Sequence, residues 1–330
     1  MSKDVILRSR IRLARNIVDY PFAPALDEAC RKEIIEKTEN VLIQEGFSKI
    51  TCENNLLFLS KLSEKNLISR EFVKDNDKRA LFIESTTDVY IMVCEEDHLR
   101  IQAFEDGLNL TCAFEKAIST QQSLSAKIKF AFNNKLGYLT HCPTNLGTAM
   151  RASVMMFLPA LTASNRMVEL KPLLEKSGIT IRGIYGEGSD AKACIYQISN
   201  SRSLGITERD IISKINAIAN KLADDELLTR KKFYENDEDK LKDKILRAVG
   251  TLKYSYLLSS AEFFDCYTYA RLGISLGIVK EINLASLDEL LYEAMPAHIL
   301  SVDKRAADDT ELRDKLRSEI VKQKLWEEKT

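Results

Sequence analysis

Arginines in short polar motifs are the residues of this chain best suited to chemistry. Arg10 and Arg12 stand in SRIRLARN, Arg100 in EEDHLR, Arg151 in LGTAMR and Arg182 in IRG. The chain has no glycine-rich loop followed by lysine, the motif that cradles phosphates with backbone amides. Guanidinium groups bind phosphate oxygens bidentately, so converging arginines would form another kind of polyphosphate site. These motifs predict a phosphoryl-transfer enzyme.

Carboxylates in two further motifs suit chemistry on a guanidinium group. Glu95 and Glu96 follow the apolar run VYIMVC, and Glu187 lies in YGEGSD. A carboxylate can orient a guanidinium and accept its proton, and a protonated guanidinium is otherwise a poor nucleophile. A solvated turn is the ordinary alternative for an EED string, but the arginine motifs nearby favour a site.

Cys142 is the one cysteine whose surroundings indicate a chemical role. It precedes Pro143 in THCPTN, a turn that leads toward Arg151. A thiolate is stabilised beside cationic groups, whereas most cysteines are inert and buried. His141 is adjacent, and because neighbours on an extended chain point apart, we expect no direct Cys–His pair.

Alternation over residues 5–13 predicts a strand that would present several guanidinium groups together. Arg8, Arg10 and Arg12 would share one face, with Leu7, Ser9, Ile11 and Leu13 on the other. We expect further strands over 56–60, 80–84, 89–94 and 136–140, and a hairpin around GEGSD. The string GEGSDA (186–191) matches the dinucleotide-binding pattern G-x-G-x-x-A, but a strand pattern follows it instead of the required helix.

Helical periodicity predicts helices over 26–45, over much of 107–132, from about Thr148, and up to Gly178. From about residue 207 helical patterns dominate, and the charged segment 229–240 is either a linker or a solvated helix. The expected fold class is α+β: a mainly antiparallel sheet flanked by helices over 1–228, followed by an all-helical domain over 229–330.

Composition excludes several classes of protein. A length of 330 residues suggests two domains, and a net charge of −1 argues against a general nucleic-acid binder. The seven cysteines are odd in number and lack any C-x-x-C spacing, which argues against a disulfide framework or a structural metal site. The sequence has no membrane-span pattern and no signal-peptide pattern, so we expect a cytoplasmic protein.

From Val5 to about Gly277 the chain resembles the guanido phosphotransferase (phosphagen kinase) superfamily, and within it the bacterial protein-arginine kinases. The strings that carry the resemblance are SRIRLARN (9–16), EEDHLRIQ (95–102), GYLTHCPTNLGTAMRASVM (137–155), RGIYGEGS (182–189) and YQISNSRSLG (196–205). The resemblance implies ATP with Mg²⁺ as the phosphoryl donor and arginine side chains of proteins as acceptors.

The resemblance also implies two sets of site residues. The catalytic set is Glu95, Glu96, Cys142 and Glu187. The ATP-binding set is Ser9, Arg10, Ile11, Arg12, Asn66, Arg100, Arg151, Ala152, Ser153, Val154, Met155, Arg182, Gly183, Ile184, Tyr185 and Gly186. Three positions depart from the pattern, because Asn66 stands where we expect a histidine, Arg8 where serine is usual and Ala149 where glycine is usual.

Implied partners are protein substrates, a zinc-binding activator protein, a Clp-type chaperone or protease acting in stress response, and a second copy in a homodimer. We expect no nucleic-acid or membrane partner. Two rival functions stay open at this point: a kinase for a free guanidino compound, and a catalytically weak adaptor. The superfamily branch also carries an R-D-x-x-R-A signature for phosphoarginine, which we expect to be missing because 302–315 reads VDKRAADDTELRDK.

Overall fold

An antiparallel sheet of eight strands organises the first two hundred residues of the described chain. The computed structural model describes residues 4–53, 55–74, 78–184 and 191–327. The eight strands are β1 (Ile6–Arg15), β2 (Ser48–Thr51), β3 (Ala80–Glu84), β4 (Val89–Val93), β5 (Leu99–Asp106), β8 (Met150–Phe157), β9 (Ile179–Gly183) and β10 (Ile195–Asn200). Two short strands, β6 (Phe132–Asn133) and β7 (Gly137–Tyr138), form a separate hairpin. The order across the sheet is β2-β3-β4-β5-β1-β8-β10-β9, so β1 is central.

Helices flank the sheet and form the rest of the chain. Those before residue 207 are α1 (Glu28–Leu42), α2 (Leu56–Glu64), α3 (Arg70–Lys74), α4 (Leu110–Ser125), α5 (Pro159–Ala163) and α6 (Arg166–Lys176). Those after it are α7 (Glu208–Asn236), α8 (Glu238–Tyr254), α9 (Ser260–Ser275), α10 (Leu284–Glu293), α11 (Pro296–Val302) and α12 (Thr310–Trp326). The expected α+β class, with antiparallel sheet first and helices last, is confirmed.

The sheet is covered differently on its two faces. One face packs against α1, α4 and α7 in a core that includes Ile11, Leu13 and Val154. The described residues cover the opposite face only at its two ends: α2 and α3 cover the β3–β5 end around Phe72, and the C-terminal helices cover the β8–β10 end around Phe157. Between these two cores the middle of the sheet stays open, and this opening contains the candidate site.

The central strand largely follows the predicted alternation. Ser9, Ile11 and Leu13 are buried on the helix-covered face, while Arg8, Arg10 and Arg12 lie on the opposite face. Leu7 differs from the prediction, because a register shift between Ile6 and Arg8 turns it toward the C-terminal helical core.

The predicted strand over 56–60 is wrong, since LLFLS begins helix α2. A short apolar run does not distinguish a strand from a helix by periodicity alone. The helical reading buries Leu59 and Leu62, which lie three residues apart on one helix face.

The predicted helix from Thr148 is also wrong, because residues 150–157 form strand β8. Alanine and methionine favour helices, but here pairing with β1 on one side and β10 on the other outweighs that weak propensity. The remaining differences are of extent. The helix expected within 107–132 covers only Leu110–Ser125, and the strand expected over 136–140 covers only Gly137–Tyr138.

The charged segment 229–240 is helical, in the end of α7 and the start of α8. Helix α7 therefore continues through the expected domain boundary at residue 229. None of the helices in the described ranges is long and apolar enough to cross a bilayer.

Candidate active site

The sheet register brings the predicted arginines together. Arg12 in β1 lies directly opposite Arg151 in β8, and Arg10 lies opposite Ser153. On the other side of β1, Arg12 faces Gln102, whose same-face neighbour two residues earlier is Arg100. Like charges directly opposite each other destabilise a sheet, so this arrangement costs folding free energy. A fold that retains it points to a ligand of opposite charge.

These residues line a cleft of about 660 Å³ in the uncovered middle of the sheet. Arginines dominate its walls, and carboxylates stand at one side. The lining arginines are Arg10, Arg12, Arg70, Arg79, Arg100, Arg151 and Arg182, and the lining glutamates are Glu71, Glu95 and Glu96.

The surroundings of the cleft arginines disfavour the protonated, positively charged forms of their side chains. Burial lowers the pKa of Arg12 well below its ordinary value, and the charges of Arg10 and Arg100 lower it further. Burial, followed by the charge of Arg100, lowers the pKa of Arg10 to about 9. The pKa of Arg151 is lowered by burial and then by Arg182. An anion bound among these groups would restore the stability that their protonated forms lose.

Arg12 has the least compensated guanidinium of the cluster. Its Nε is buried without a hydrogen-bond partner among the described residues. Arg10, by contrast, donates to the Gln197 Oε1 atom at 2.6 Å and to the Asn66 carbonyl oxygen at 3.2 Å. The Asn66 side chain lines the cleft, while its amide donates weakly to the Glu64 carbonyl oxygen at 3.4 Å.

The two predicted catalytic glutamates differ in their contacts. The Glu95 carboxylate accepts from Arg100 Nη1 at 2.7 Å and from the Ser69 hydroxyl at 2.9 Å, so its orientation is fixed. Within the described part of the chain, the Glu96 carboxylate has no hydrogen bond or ion pair. Glu96 nevertheless lines the cleft, and its charge raises the pKa of Arg151 against the larger effect of burial. Glu96 is therefore the carboxylate available to a second ligand.

A buried and unusual turn holds both glutamates at the end of β4. Cys94 has a φ of 62°, in the left-handed region that non-glycine residues rarely adopt. Its carbonyl oxygen accepts from Arg79 Nε at 3.2 Å and from Arg31 Nη1 at 3.3 Å. These bonds fix the backbone from which Glu95 and Glu96 project.

Cys142 lies next to this cluster, in a half-buried turn. Its charge raises the pKa of Arg151, which places the thiol within electrostatic range of the cleft. The Sγ atom is 3.0 Å from the Thr144 hydroxyl. The His141 ring packs edge-on against Phe22 at 5.9 Å between centroids, consistent with the expectation that it does not pair with Cys142.

The sheet separates the predicted ATP-binding residues into two groups. Gly183 and Ile184 line the cleft, and Ser153 and Met155 lie on the same face beside Arg10. The side chains of Ser9, Ile11, Ala152 and Val154 are turned to the opposite, helix-covered face. Ser9, for example, donates to the Gly107 carbonyl oxygen at 2.7 Å. Tyr185, Gly186 and the predicted catalytic Glu187 lie outside the described residues.

Sequence reasoning missed several residues that line or support the cleft. Arg70 and Arg79 contribute two further guanidinium groups, Ser69 holds Glu95, and Gln197 holds Arg10. Gln197 could have been found, because it lies within the matching string YQISNSRSLG two residues before Ser199, on the same strand face. Arg70 and Arg79 flank a stretch without any recognisable motif.

The expected absence of the R-D-x-x-R-A signature needs correction. Its charged part is present at Arg313, Asp314 and Arg317 in α12, followed by Ser318 where the signature has alanine. Arg317 is buried and donates to the Leu258 carbonyl oxygen at 2.7 Å and the Ala294 carbonyl oxygen at 3.0 Å. The prediction was wrong because it considered residues 302–315 only, and the pattern extends from Arg313 to Arg317.

Comparison with known proteins matches nearly the whole chain. Residues 43–228 match the family described as ATP:guanido phosphotransferase, C-terminal catalytic domain, and residues 238–330 match the protein-arginine kinase McsB C-terminal domain. The protein-arginine kinase of Clostridium kluyveri is 37% identical over 97% of this chain and 94% of its own length. That of Clostridium acetobutylicum is 38% identical over 91% of this chain and 90% of its own length.

Solved structures agree on the fold. The duplicated taurocyamine kinase from Schistosoma mansoni, with bound transition-state analogue components, has a TM-score of 0.63 at 26% identity and covers 74% of this chain. This chain spans only 37% of that duplicated protein. A lombricine kinase has a TM-score of 0.59 at 24% identity, which supports the fold alone. By its sequence relatives and its matched domains, the chain belongs to the protein-arginine kinase family of the ATP:guanido phosphotransferases.

Proposed function

We propose that this chain transfers the γ-phosphoryl group of ATP to the guanidinium groups of arginine side chains in proteins. The observation that carries the proposal is the half-buried set Arg10, Arg12, Arg100 and Arg151, whose positive charges face one another beside two glutamates. Phosphoryl transfer depends mainly on alignment and on neutralising phosphate charge, and this cleft supplies both kinds of group.

The strand register suggests how the nucleotide lies. Arg12, Arg100 and Arg151 surround the end of the cleft near Glu96, and Arg10 lies farther along β1 toward Asn66. The γ-phosphate would occupy the end near Glu96, with the nucleotide extending toward Arg10. Mg²⁺ would enter with ATP, held by phosphate oxygens and water. No cluster of three or more metal-binding side chains exists within the described ranges.

Glu96 would orient the substrate guanidinium and accept a proton from its attacking nitrogen. A nitrogen–phosphorus bond forms as the bond from phosphorus to the bridging β–γ oxygen breaks, and ADP leaves. Glu95 acts by holding Arg100 in place at 2.7 Å. Cys142 would contact the guanidinium from the turn beside Arg151, and Glu187 would supply a second carboxylate, as the family resemblance implies.

Replacement of Glu96 by glutamine tests this assignment. General acid–base groups contribute roughly 10²–10⁴-fold to rate, so Glu96→Gln should reduce acid-labile phosphate formation on protein arginine by that factor. Glu71→Gln is the matched control, because Glu71 lines the same cleft without an assigned role. Equal activities of the two variants would remove Glu96 from the mechanism.

The rival function, phosphorylation of a free guanidino compound, predicts a different substrate preference. Incubation with ATP and either free arginine or an unfolded arginine-containing protein separates the two. The proposal expects phosphate on the protein. Faster transfer to free arginine would favour the rival.

We extend the proposal to the partners implied by the family: a zinc-binding activator, a Clp-type chaperone or protease in stress response, and a homodimeric state in the cytoplasm. An assay with and without a candidate activator tests the first of these. Sedimentation at several concentrations tests the dimer.

A further inference from the structure

Exposed apolar side chains surround the loop that contains Cys142. They are Phe22, Phe132, Leu136 and Leu204, here called the apolar rim. They come from three separate segments of the chain, so their proximity is a property of the fold. Single exposed apolar residues are ordinary, but a contiguous group marks an interaction surface.

Contacts connect the rim to the Cys142 loop on both sides. On one side, Phe22 packs on His141, the neighbour of Cys142. On the other side, Gly147 ends the loop, and its carbonyl oxygen accepts from the Tyr138 backbone N–H at 2.8 Å. The Tyr138 ring packs against Phe132 at 5.2 Å between centroids.

Leu204, in the turn that follows β10, reaches the same loop. A methyl group at Gly147 would lie 2.6 Å from the Leu204 Cα atom, so the two backbones are in contact. The Ser203 hydroxyl also donates to the Leu146 carbonyl oxygen at 2.8 Å. The rim therefore extends from Phe22 past the Cys142 loop to the Phe132–Tyr138 hairpin and Leu204.

A protein substrate must cross this region. An extended chain advances about 3.3–3.6 Å per residue, so an arginine inserted beside Cys142 keeps its neighbouring residues within roughly 10 Å of the loop. A kinase for a small free guanidino compound has no need of exposed apolar side chains here. We propose that the apolar rim binds apolar side chains that flank the target arginine in an extended segment of the protein substrate. This inference rests on the proposed function and adds to it a preference for apolar residues next to the target arginine.

Two blocked peptides test the rim directly: one with leucine and phenylalanine next to a single arginine, and one with glycine and serine instead. The wild-type chain should phosphorylate the apolar peptide with a kcat/KM about tenfold higher, because two partly buried apolar side chains are worth about that factor. The Leu136→Ser/Leu204→Ser double variant should lose this preference while keeping its activity on the glycine–serine peptide within about twofold.

The matched control is the Leu228→Ser/Leu246→Ser double variant. Leu246 is 57% exposed and Leu228 is 61% exposed on α8 and α7, compared with 42% for Leu136 and 48% for Leu204. The control should retain the preference for the apolar peptide. Unchanged activity on the glycine–serine peptide shows that the rim variant is folded.

Peptide binding, measured by fluorescence anisotropy without ATP, separates the rim from the chemistry. Tighter binding of the apolar peptide that is lost only in the rim variant supports the rim even where transfer is slow. If the wild-type chain binds and phosphorylates both peptides equally well, the proposed role of the rim is wrong, while the proposed function stands. A rim variant with altered oligomeric state and unaltered peptide preference also overturns it, since the surface would then bind a second copy.

Discussion

Two clusters of buried arginine in this molecule have opposite electrostatic surroundings. In the cleft, Arg12 has an unpartnered Nε and a pKa lowered by burial and by neighbouring arginines. At the contact between the sheet and the C-terminal helices, Arg230 donates to Glu226 at 2.6 Å and to Asp4 at 2.6 Å. There, Arg271 donates to Asp288 at 2.8 Å. In the first cluster only Arg100 has a carboxylate partner among the described residues, Glu95, whereas Arg230 and Arg271 in the second cluster both do.

The direction of the pKa shifts expresses the same difference. Burial alone lowers the pKa of Arg271, but Tyr267 and Asp288 outweigh burial and the net shift is upward. Both Arg230 and Arg271 also lie over the Phe157 ring, at 5.3 and 4.6 Å from its centroid. A buried cation that stabilises a fold is paired within the protein, whereas one that binds a ligand is left for the ligand to pair. The comparison predicts opposite consequences for substitution in the two clusters.

The largest expected effect is on catalysis. Arg151→Met should lower kcat/KM for protein-arginine phosphorylation by roughly 10³–10⁵, the range associated with an arginine on a transferring phosphoryl group. Steady-state kinetics with an unfolded protein substrate measures it. A loss below tenfold would place Arg151 outside the phosphate site.

The second effect is on stability alone. Arg271→Met removes the guanidinium donor of the Asp4 carbonyl oxygen and of the Asp288 carboxylate, which keeps its bond from the Tyr267 hydroxyl. The free energy of unfolding should therefore fall by about 1.5–3 kcal/mol. Denaturant unfolding measures this change. At a temperature where the variant is folded, its kcat/KM should stay within a few-fold of wild type. A variant as stable as wild type would show that the second cluster does not stabilise the contact.

Nucleotide should stabilise the protein by filling the first cluster. With Mg-ATP at 100 times its Kd, the free energy of unfolding should rise by about 2.7 kcal/mol. Unfolding at increasing nucleotide concentration tests this, with inorganic sulfate at equal ionic strength as the control for screening. A stabilisation equal to that of sulfate would argue against a specific polyphosphate site.

The sequence predicted which side chains would converge better than it predicted the backbone that presents them. The motifs containing Arg10, Arg12, Arg100, Arg151 and Glu96 identified residues that the register brings into one cleft. The same motifs did not reveal that Arg151 lies on a strand, because local propensity there favours helix and only pairing with β1 and β10 determines the outcome.

Other features depend on contacts that are distant in sequence. Arg79, fifteen residues earlier and just before β3, supports the Cys94 turn. Asp4 contacts Arg230 and Arg271 across more than two hundred residues. Local sequence patterns do not predict contacts between residues so far apart in the chain. The apolar rim is a similar case, since Phe22, Phe132 and Leu204 become neighbours of one loop only through folding.

The stability of the Arg12→Met variant, with and without nucleotide, tests whether the cleft arginines are left unpaired within the protein so that they can bind a polyphosphate. In the absence of nucleotide the substitution removes a repelled, partly unsatisfied cation, so the free energy of unfolding should rise by about 1 kcal/mol. Mg-ATP should then add much less stability than it adds to the wild-type protein, although the variant is the more stable apoprotein. A variant that is less stable without nucleotide, and gains as much stability from Mg-ATP as the wild type does, would show that Arg12 stabilises the fold and does not bind the nucleotide.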